Sequence, residues 1–243
     1  MKNKEKVIRY ALITLCELLT VVNVIRFTIT GQWNRLLLAA LTLVLILIPE
    51  GIERLFHCRI SQGMYLTAVL YAIGPMLGHC NNFYYIIPIW DKLLHTLGGV
   101  MFVFVGIFLF ELLGGDQKKR LLCCVFALCF SLAVSVIWEF YEFGSDMFFG
   151  TDTQDDIIIH SITSHMLNPE MGAVGTIADI QNVVIDGKPL ELGGYLDIGL
   201  MDTMLDLLLE SLGALITIVI LFLDKNRYPI FLRKEEAAIC SNA

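Results

Sequence analysis

The chain has 243 residues, of which 56% are hydrophobic and only 17% are charged, with a mean hydropathy of +0.70 and a formal net charge of −7. Soluble domains are about 45–50% apolar and about 25% charged, and the apolar excess of this chain lies in long runs. These values exclude a disordered chain, a disulfide scaffold, a collagen and a coiled coil, and they disfavour a soluble enzyme.

Six stretches of the sequence are apolar enough to predict membrane-spanning helices, which need about 20 residues each. The predicted spans are residues 7–29, 36–48 (extendable to Trp33), 60–77, 89–113, 121–143 and 198–223. Because lipid cannot satisfy open backbone hydrogen bonds, we expect all six to be helices. The predicted fold class is therefore all-α, a bundle of six transmembrane helices that forms a single membrane domain over residues 1–243.

The basic residues predict the orientation of these spans. With the N-terminus inside, thirteen of the 17 lysines and arginines lie on inner segments and four lie on outer ones. Cytoplasmic loops carry the excess of basic residues, so both termini are expected in the cytoplasm. The basic N-terminus is followed by an apolar run without an A-x-A-like cleavage site, which favours an uncleaved first span.

The segment 150–197 is predicted to form a small extracytoplasmic cap, because it is too long for a plain connection. Its isoleucine-rich part, from Ile157 to Met166, predicts either a short helix on the membrane or a strand leading into one. The run 183–185 followed by Asp186 and Gly187 predicts a hairpin with a tight turn. A mobile loop is the alternative. Residues 146–197 have a net charge of −8, so nucleic acid is not an expected partner.

Ionisable residues at membrane depth are costly and usually functional, and three predicted spans contain them near the same membrane face. Within each span they are three or four residues apart, so each pair shares one helix face. Glu210, one turn beyond the last pair, is expected near the middle of the membrane. The three pairs are Asp91 and His95, Glu139 and Glu142, and Asp202 and Asp206.

These six residues are the predicted ligands of a divalent metal, with Glu139 and His95 as the catalytic groups. Neighbouring carboxylates cannot all stay ionised without a cation, and carboxylates with an imidazole suit Mg²⁺, Mn²⁺, Zn²⁺ or Fe²⁺. A structural role is the alternative for single residues. Acids such as Asp91 and Asp202 stabilise a helix N-terminus, and Asp146 fits a water-facing position.

The stretches Asp91-Lys92-Leu93-Leu94-His95 and Trp138-Glu139-Phe140-Tyr141-Glu142 resemble motifs of the YjdF-type bacterial inner-membrane proteins and, more distantly, of VanZ-like proteins. The resemblance covers residues 90–213, and a long insertion after Asp156 departs from it. It implies a multi-pass protein of the bacterial plasma membrane. The VanZ-like association with glycopeptide resistance implies chemistry on envelope lipid or peptidoglycan. Further matches are Gly150-Thr151 with Gln154 and Asp155, and Asp202 with Asp206.

Three functions follow as hypotheses. The first is a metal-dependent enzyme that acts on a membrane lipid or a lipid-linked envelope substrate at the outer leaflet. The second is a proton- or cation-coupled transporter, which is supported by Glu210 and Glu17 at membrane depth. The third is a non-catalytic envelope factor whose acidic loop binds a partner.

Overall fold

The computed structural model describes residues 3–116, 119–223 and 231–233, and helices form most of the chain. Within these described ranges, five helices are long and apolar enough to cross a membrane: α1 from Lys6 onward, α2, α5, α6 and α7. The structure therefore confirms a mostly helical chain with several candidate membrane spans. The helices are α1 Asn3–Thr30, α2 Trp33–Leu55, α3 Gln62–Cys80, α4 Phe83–Ile86, α5 Trp90–Leu112, α6 Arg120–Phe149 and α7 Leu200–Leu223.

Helix α3 occupies the position of the predicted third span but does not belong to those five. It has 19 residues, which corresponds to a length of about 28 Å at 1.5 Å per residue. Its sequence includes Gln62, Pro75 and His79, which lower its hydropathy. The sixth span therefore remains a prediction.

Helices α2 and α6 continue beyond the ends predicted for them. The prediction ended α2 at residue 48 and α6 at residue 143, whereas the helices end at Leu55 and Phe149. Pro49 lies inside α2 and is buried, and Asp146 in the last turns of α6 accepts hydrogen bonds from the following segment. Hydropathy identifies where a helix leaves the apolar region, whereas the hydrogen bonds decide where it ends.

The chain divides into two compact units, Met1–Ser135 with Leu208–Ala243 and, separately, Val136–Leu207. In the first unit, α1, α2 and α3 pack on one another and α3 packs against α5. Strand β1 (Cys58–Ile60) pairs antiparallel with β8 (Phe231–Arg233), with Cys58 opposite Arg233. The largest fully buried side chains of this core are Phe27, Ile46, Tyr65, Val69, Met76, Val103 and Ile107.

A buried network around Arg9 joins α1, α2 and α3 in the first unit. The guanidinium of Arg9 donates to Gln62 Oε1 at 2.7 Å, to the carbonyl oxygen of Ile60 at 2.6 Å and to Glu53 Oε1 at 2.9 Å. It also lies over the ring of Tyr65, 4.2 Å from the ring centroid. Because Arg9 is only 6% exposed, these partners replace its hydration shell.

The second unit contains three short antiparallel strand pairs and a 3-10 turn at His165–Leu167. The predicted hairpin is confirmed: its strands pair Val184 with Pro189 and Ile185 with Lys188. Asp186 and Gly187 have φ values of 50° and 76°, as a type I′ turn requires. The pairs are β2 (Ile157–Ile159) with β7 (Tyr195–Asp197), β3 (Ile162–Ser164) with β4 (Gly175–Ile177), and β5 (Val184–Ile185) with β6 (Lys188–Pro189).

Of the two alternatives for the isoleucine-rich part of this segment, the structure contains the strand. Ile157–Ile159 and Ile162–Ser164 are strands, and only a three-residue 3-10 helix follows. The branched isoleucines suit the extended backbone. The position of this segment outside the cytoplasm stays a prediction.

Candidate functional site

Helix α5 begins with Asp91 and His95 on one face. His95 Nε2 lies 3.7 Å from Asp91 Oδ1, and Lys92 Nζ lies 3.0 Å from Asp91 Oδ2. Two donor atoms that are each about 2.1 Å from one ion lie at most about 4.2 Å apart, so this spacing fits a shared metal. His95 is 7% exposed, whereas the side chain of Asp91 is 21% exposed. The pair predicted from its spacing therefore does lie together.

Glu210 on α7 faces the other ring nitrogen of His95. Glu210 Oε2 lies 3.7 Å from His95 Nδ1, and Glu210 is 3% exposed. The histidine therefore has a carboxylate on each side of its ring. The sequence predicts Glu210 at membrane depth but does not assign it to the ligand set, because a sequence does not show which helices are adjacent.

Two glycines allow α5 and α7 to approach closely enough for this contact. A Cβ on Gly99 would collide with the carbonyl oxygen of Glu210 and would lie 2.9 Å from the backbone nitrogen of Ala214. A Cβ on Gly213 would likewise collide with the carbonyl oxygen of Thr96. Glycine at these two positions lets the two helix backbones touch, and His95 and Glu210 lie at this contact.

In the second unit, Glu139 and Glu142 share the buried face of α6. They are 4% and 8% exposed, and a carboxylate oxygen of one lies within 4.8 Å of an oxygen of the other. Trp138 Nε1 donates to Glu142 Oε1 at 2.9 Å. The neighbouring Ile137 and Phe140 are 64% and 69% exposed. This part of α6 therefore buries its acids and exposes its apolar side chains, as expected for a helix surrounded by lipid.

Asp202 and Asp206 lie one turn apart on α7 and are 2% and 0% exposed. Asp202 Oδ2 accepts a hydrogen bond from the backbone nitrogen of Asp155 at 3.0 Å. A carboxylate oxygen of Asp155 also lies within 4.8 Å of one of Asp202. Asp155 was assigned only through the family resemblance, because the strands between residues 155 and 202 separate the two residues in the sequence.

Asp146 holds the segment that follows α6. One carboxylate oxygen accepts from the hydroxyls of Thr151 and Thr153 and from the backbone nitrogen of Thr153, each at 2.8 Å, and the other accepts from the backbone nitrogen of Gln154 at 2.9 Å. The side chain of Gln154 donates in turn to the hydroxyl of Thr203. Asp146, which fitted a water-facing acid in the sequence, is thus the acceptor that fixes this turn.

The segment that follows α6 also carries several negative charges close together. Burial, together with the negative charges of Asp152, Asp146, Asp197 and Asp202, raises the pKa of the Asp156 carboxyl above its ordinary value. Like charges around a carboxyl favour its neutral form. A cation bound in this part of the second unit would relieve the same repulsion.

The comparison with known protein families decides the family. A family model described as "Predicted membrane protein (DUF2238)" matches residues 8–227. The chain belongs to this family. The match confirms the recognition of a YjdF-type membrane protein, whereas the VanZ-like resemblance stays a prediction. Neither the comparison with curated proteins nor the comparison with solved structures returned a match.

Proposed function

We propose that this membrane protein binds a divalent metal through the acidic and histidine side chains at the ends of three helices. The observation that supports the proposal is their burial: all but Asp91 are less than 10% exposed. The proposed ligands are Asp91 and His95 in the first unit, and Glu139, Glu142, Asp202 and Asp206 in the second.

The cost of burying these groups is the physical argument for a cation. Removing a carboxylate from water costs several kcal/mol even after the protein relaxes, and two neighbouring carboxylates repel each other. A divalent ion offsets both costs. Carboxylate oxygens with imidazole suit Mg²⁺, Mn²⁺, Zn²⁺ or Fe²⁺ rather than a metal that prefers thiolates.

The proposed reaction is a metal-dependent step on a membrane lipid or a lipid-linked envelope substrate. A bound metal would polarise a phosphoryl oxygen or activate water, and Glu139 and His95 are the residues proposed to take part in proton transfer or metal binding in that step. Two features support a lipid substrate: the buried carboxylate of Glu139, and the exposed apolar side chains of Ile137 and Phe140 beside it.

Metal content tests the proposal directly. The detergent-purified protein is analysed for metals, together with the variants Glu139→Gln and His95→Ala. Glu111→Gln is the matched control, since Glu111 lies in the last turn of α5, away from the proposed ligands. We expect stoichiometric metal in the wild type and the control and reduced metal in the other two variants. A metal-free wild type, or equal metal in all four proteins, would reject metal binding.

The substrate is tested with lipid vesicles. Release of phosphate or of the polar headgroup is measured from lipid phosphates and lipid diphosphates. We expect the activity to need metal, to stop with a chelator and to be lost in Glu139→Gln. Metal binding without any turnover of these lipids would reject the lipid-phosphate substrate while leaving the metal site intact.

For the topology we propose six spans, including α3, in a bacterial plasma membrane with both termini in the cytoplasm. The support is the excess of basic residues on one set of loops. Reporter fusions after His57 and after Asn81 test the crossing by α3, and fusions after Asp186 and at the C-terminus test the crossing by α7. The two reporters of each pair should lie on opposite sides of the membrane, and a pair on the same side would contradict the span between them.

A proton- or cation-coupled transporter is the second candidate, and one contact favours it. Glu210 is buried in an apolar span and its carboxylate lies 3.7 Å from the His95 ring, and chains of intramembrane acids and histidines occur in proton pathways. Proteoliposomes under a proton gradient test this function. Cation flux in the wild type that is lost in Glu210→Gln would favour transport over catalysis, whereas no flux in the wild type would reject transport.

A further inference from the structure

We infer that Glu210 is a positioning residue that orients the His95 ring toward the proposed metal, an inference that rests on the proposed metal-binding function. The geometry is a set of three neighbouring side chains within the first unit, with the ring of His95 between two carboxylates. Asp91 Oδ1 lies 3.7 Å from His95 Nε2, and Glu210 Oε2 lies 3.7 Å from His95 Nδ1. The two ring nitrogens therefore face different carboxylates on different helices.

The chemistry of imidazole assigns a role to each nitrogen. A neutral imidazole has one N–H and one lone pair, and an ionised carboxylate only accepts hydrogen bonds. If the N–H is on Nδ1, facing Glu210, the lone pair of Nε2 is available for a metal that Asp91 also binds. Histidines that bind metals commonly donate their other N–H to a carboxylate, which fixes the tautomer and the ring orientation.

The helix N-terminus does not explain an acid at position 210. Glu210 lies ten residues after Leu200, the first residue of α7, which corresponds to about 15 Å along the axis. The influence of the helix dipole falls off within the first turn. A buried carboxylate this far along an apolar span needs another partner, and the ring of His95 is an ionisable neighbour 3.7 Å away.

The surroundings of Glu210 hold its carboxylate in place. A Cβ on Gly98 would lie 3.5 Å from Glu210 Oε1 and 3.6 Å from the hydroxyl oxygen of Tyr71, so the carboxylate and this hydroxyl both lie close to α5. The contact of Gly99 with the backbone of Glu210 fixes the spacing of the two helices. Glu210 can therefore fix the ring of His95, because its own position is set by backbone packing.

The test uses the full-length protein in detergent with Zn²⁺ as the probe. Zn²⁺ affinity is measured by competition with a chelating dye for the wild type, Glu210→Gln, Glu210→Asp and the control Glu111→Gln. We expect Glu210→Gln to weaken Zn²⁺ binding by about 10–100-fold with unchanged stoichiometry, the range found for lost outer partners of metal ligands. Glu210→Asp should restore part of the affinity, and the control should bind like the wild type.

A spectroscopic measurement on the metal-free wild type separates positioning from general loss of structure. ¹⁵N NMR of labelled histidine, with His95→Ala to assign the signal, should show the N–H of His95 on Nδ1. A wild-type His95 that carries its N–H on Nε2 would overturn the inference even if every Glu210 variant failed to fold. A wild-type His95 with its N–H on Nδ1 that becomes a mixture of the two tautomers in Glu210→Gln would support the inference.

The outcomes distinguish this inference from the function on which it rests. If the wild type binds Zn²⁺ and Glu210→Gln binds it equally well, the role of Glu210 is rejected and the metal site stands. If the wild type binds none of the divalent metals, the proposed function fails and the inference fails with it.

Discussion

The close contact of α5 with α7 makes a sharp prediction at Gly99. Alanine at this position would place a Cβ 2.9 Å from the backbone nitrogen of Ala214 and in collision with the carbonyl oxygen of Glu210. Ordinary van der Waals contact begins at 3.4 Å, so the helices would have to move apart by at least about 0.5 Å to relieve the contact with the nitrogen. The contact with the carbonyl oxygen requires a larger movement. Both obstacles are backbone atoms, which cannot rotate away as a side chain can.

The expected cost of Gly99→Ala is about 1–3 kcal/mol, the usual range for overpacking a core. For a protein of this size, each kcal/mol corresponds to about 2–4 °C in Tm. We therefore expect a Tm in detergent that is lower by several degrees. Because the helices must separate, the distance from His95 to Glu210 should increase as well, and Zn²⁺ affinity should fall together with Tm.

Gly98→Ala is the matched control on the neighbouring residue of the same helix. Its Cβ would lie 3.4 Å from the ring of Tyr71 and 3.5 Å from Glu210 Oε1, which are side-chain atoms at nearly ordinary contact. Alanine is favoured over glycine in helices by about 1 kcal/mol, so this variant should be as stable as the wild type or more stable. Equal Tm values for Gly99→Ala and Gly98→Ala would refute the close helix contact.

Three further predictions concern other parts of the chain. Arg9→Met should lower the free energy of unfolding by about 3 kcal/mol, because Glu53 stays partly buried without its cation. The exposed pair Arg54–Glu50 supplies the control Arg54→Met, which should lower it by less than about 1 kcal/mol. Both variants are measured by thermal unfolding. Asp156→Asn should stabilise the second unit by a few tenths of a kcal/mol near pH 7. The pKa of the Asp156 carboxyl is raised in the folded state, so the wild-type protein loses stability as the pH rises through that pKa. The gain should vanish at about pH 3, below the ordinary aspartate pKa, and a gain that persists there would contradict the charge argument. Gly187→Ala should accelerate hydrogen exchange in the β5–β6 hairpin because alanine resists its φ of 76°, and unchanged exchange would exclude a strained turn.

Much of the fold was predictable because hydropathy and helical spacing are local properties of the sequence. The apolar runs predicted helices at the positions of the long helices in the described part of the chain, and the Asp186-Gly187 turn predicted its hairpin. The spacing of Asp91 and His95, and of Glu139 and Glu142, placed each pair on one helix face, and the burial of these side chains agrees with that placement. None of these inferences needs contacts between distant parts of the chain.

What the sequence could not predict depends on which elements are adjacent. The Arg9 network joins residues that are 44 to 53 positions apart, and the pairing of β1 with β8 joins Cys58 to Arg233. The contact between His95 and Glu210 belongs to the same class, because it needs Gly99 to lie against the backbone of Glu210. A pattern of residues along one helix does not contain this information.

The polar face of α6 gives the strongest physical reason to look for function rather than stability in these helices. Ser131, Ser135, Glu139 and Glu142 follow one another at helical spacing and are all buried, whereas Ile137 and Phe140 are exposed. A helix selected only for packing would place leucine or alanine on its buried face, since replacing buried ionic groups by apolar ones is often neutral or stabilising. Burying Ser131 costs little, because its hydroxyl donates to the carbonyl oxygen of Gly99 at 3.3 Å. Burying the two glutamates costs more, which favours a function that needs them. A metal-free wild type, together with unchanged activity in Glu139→Leu, would show that this reasoning is wrong.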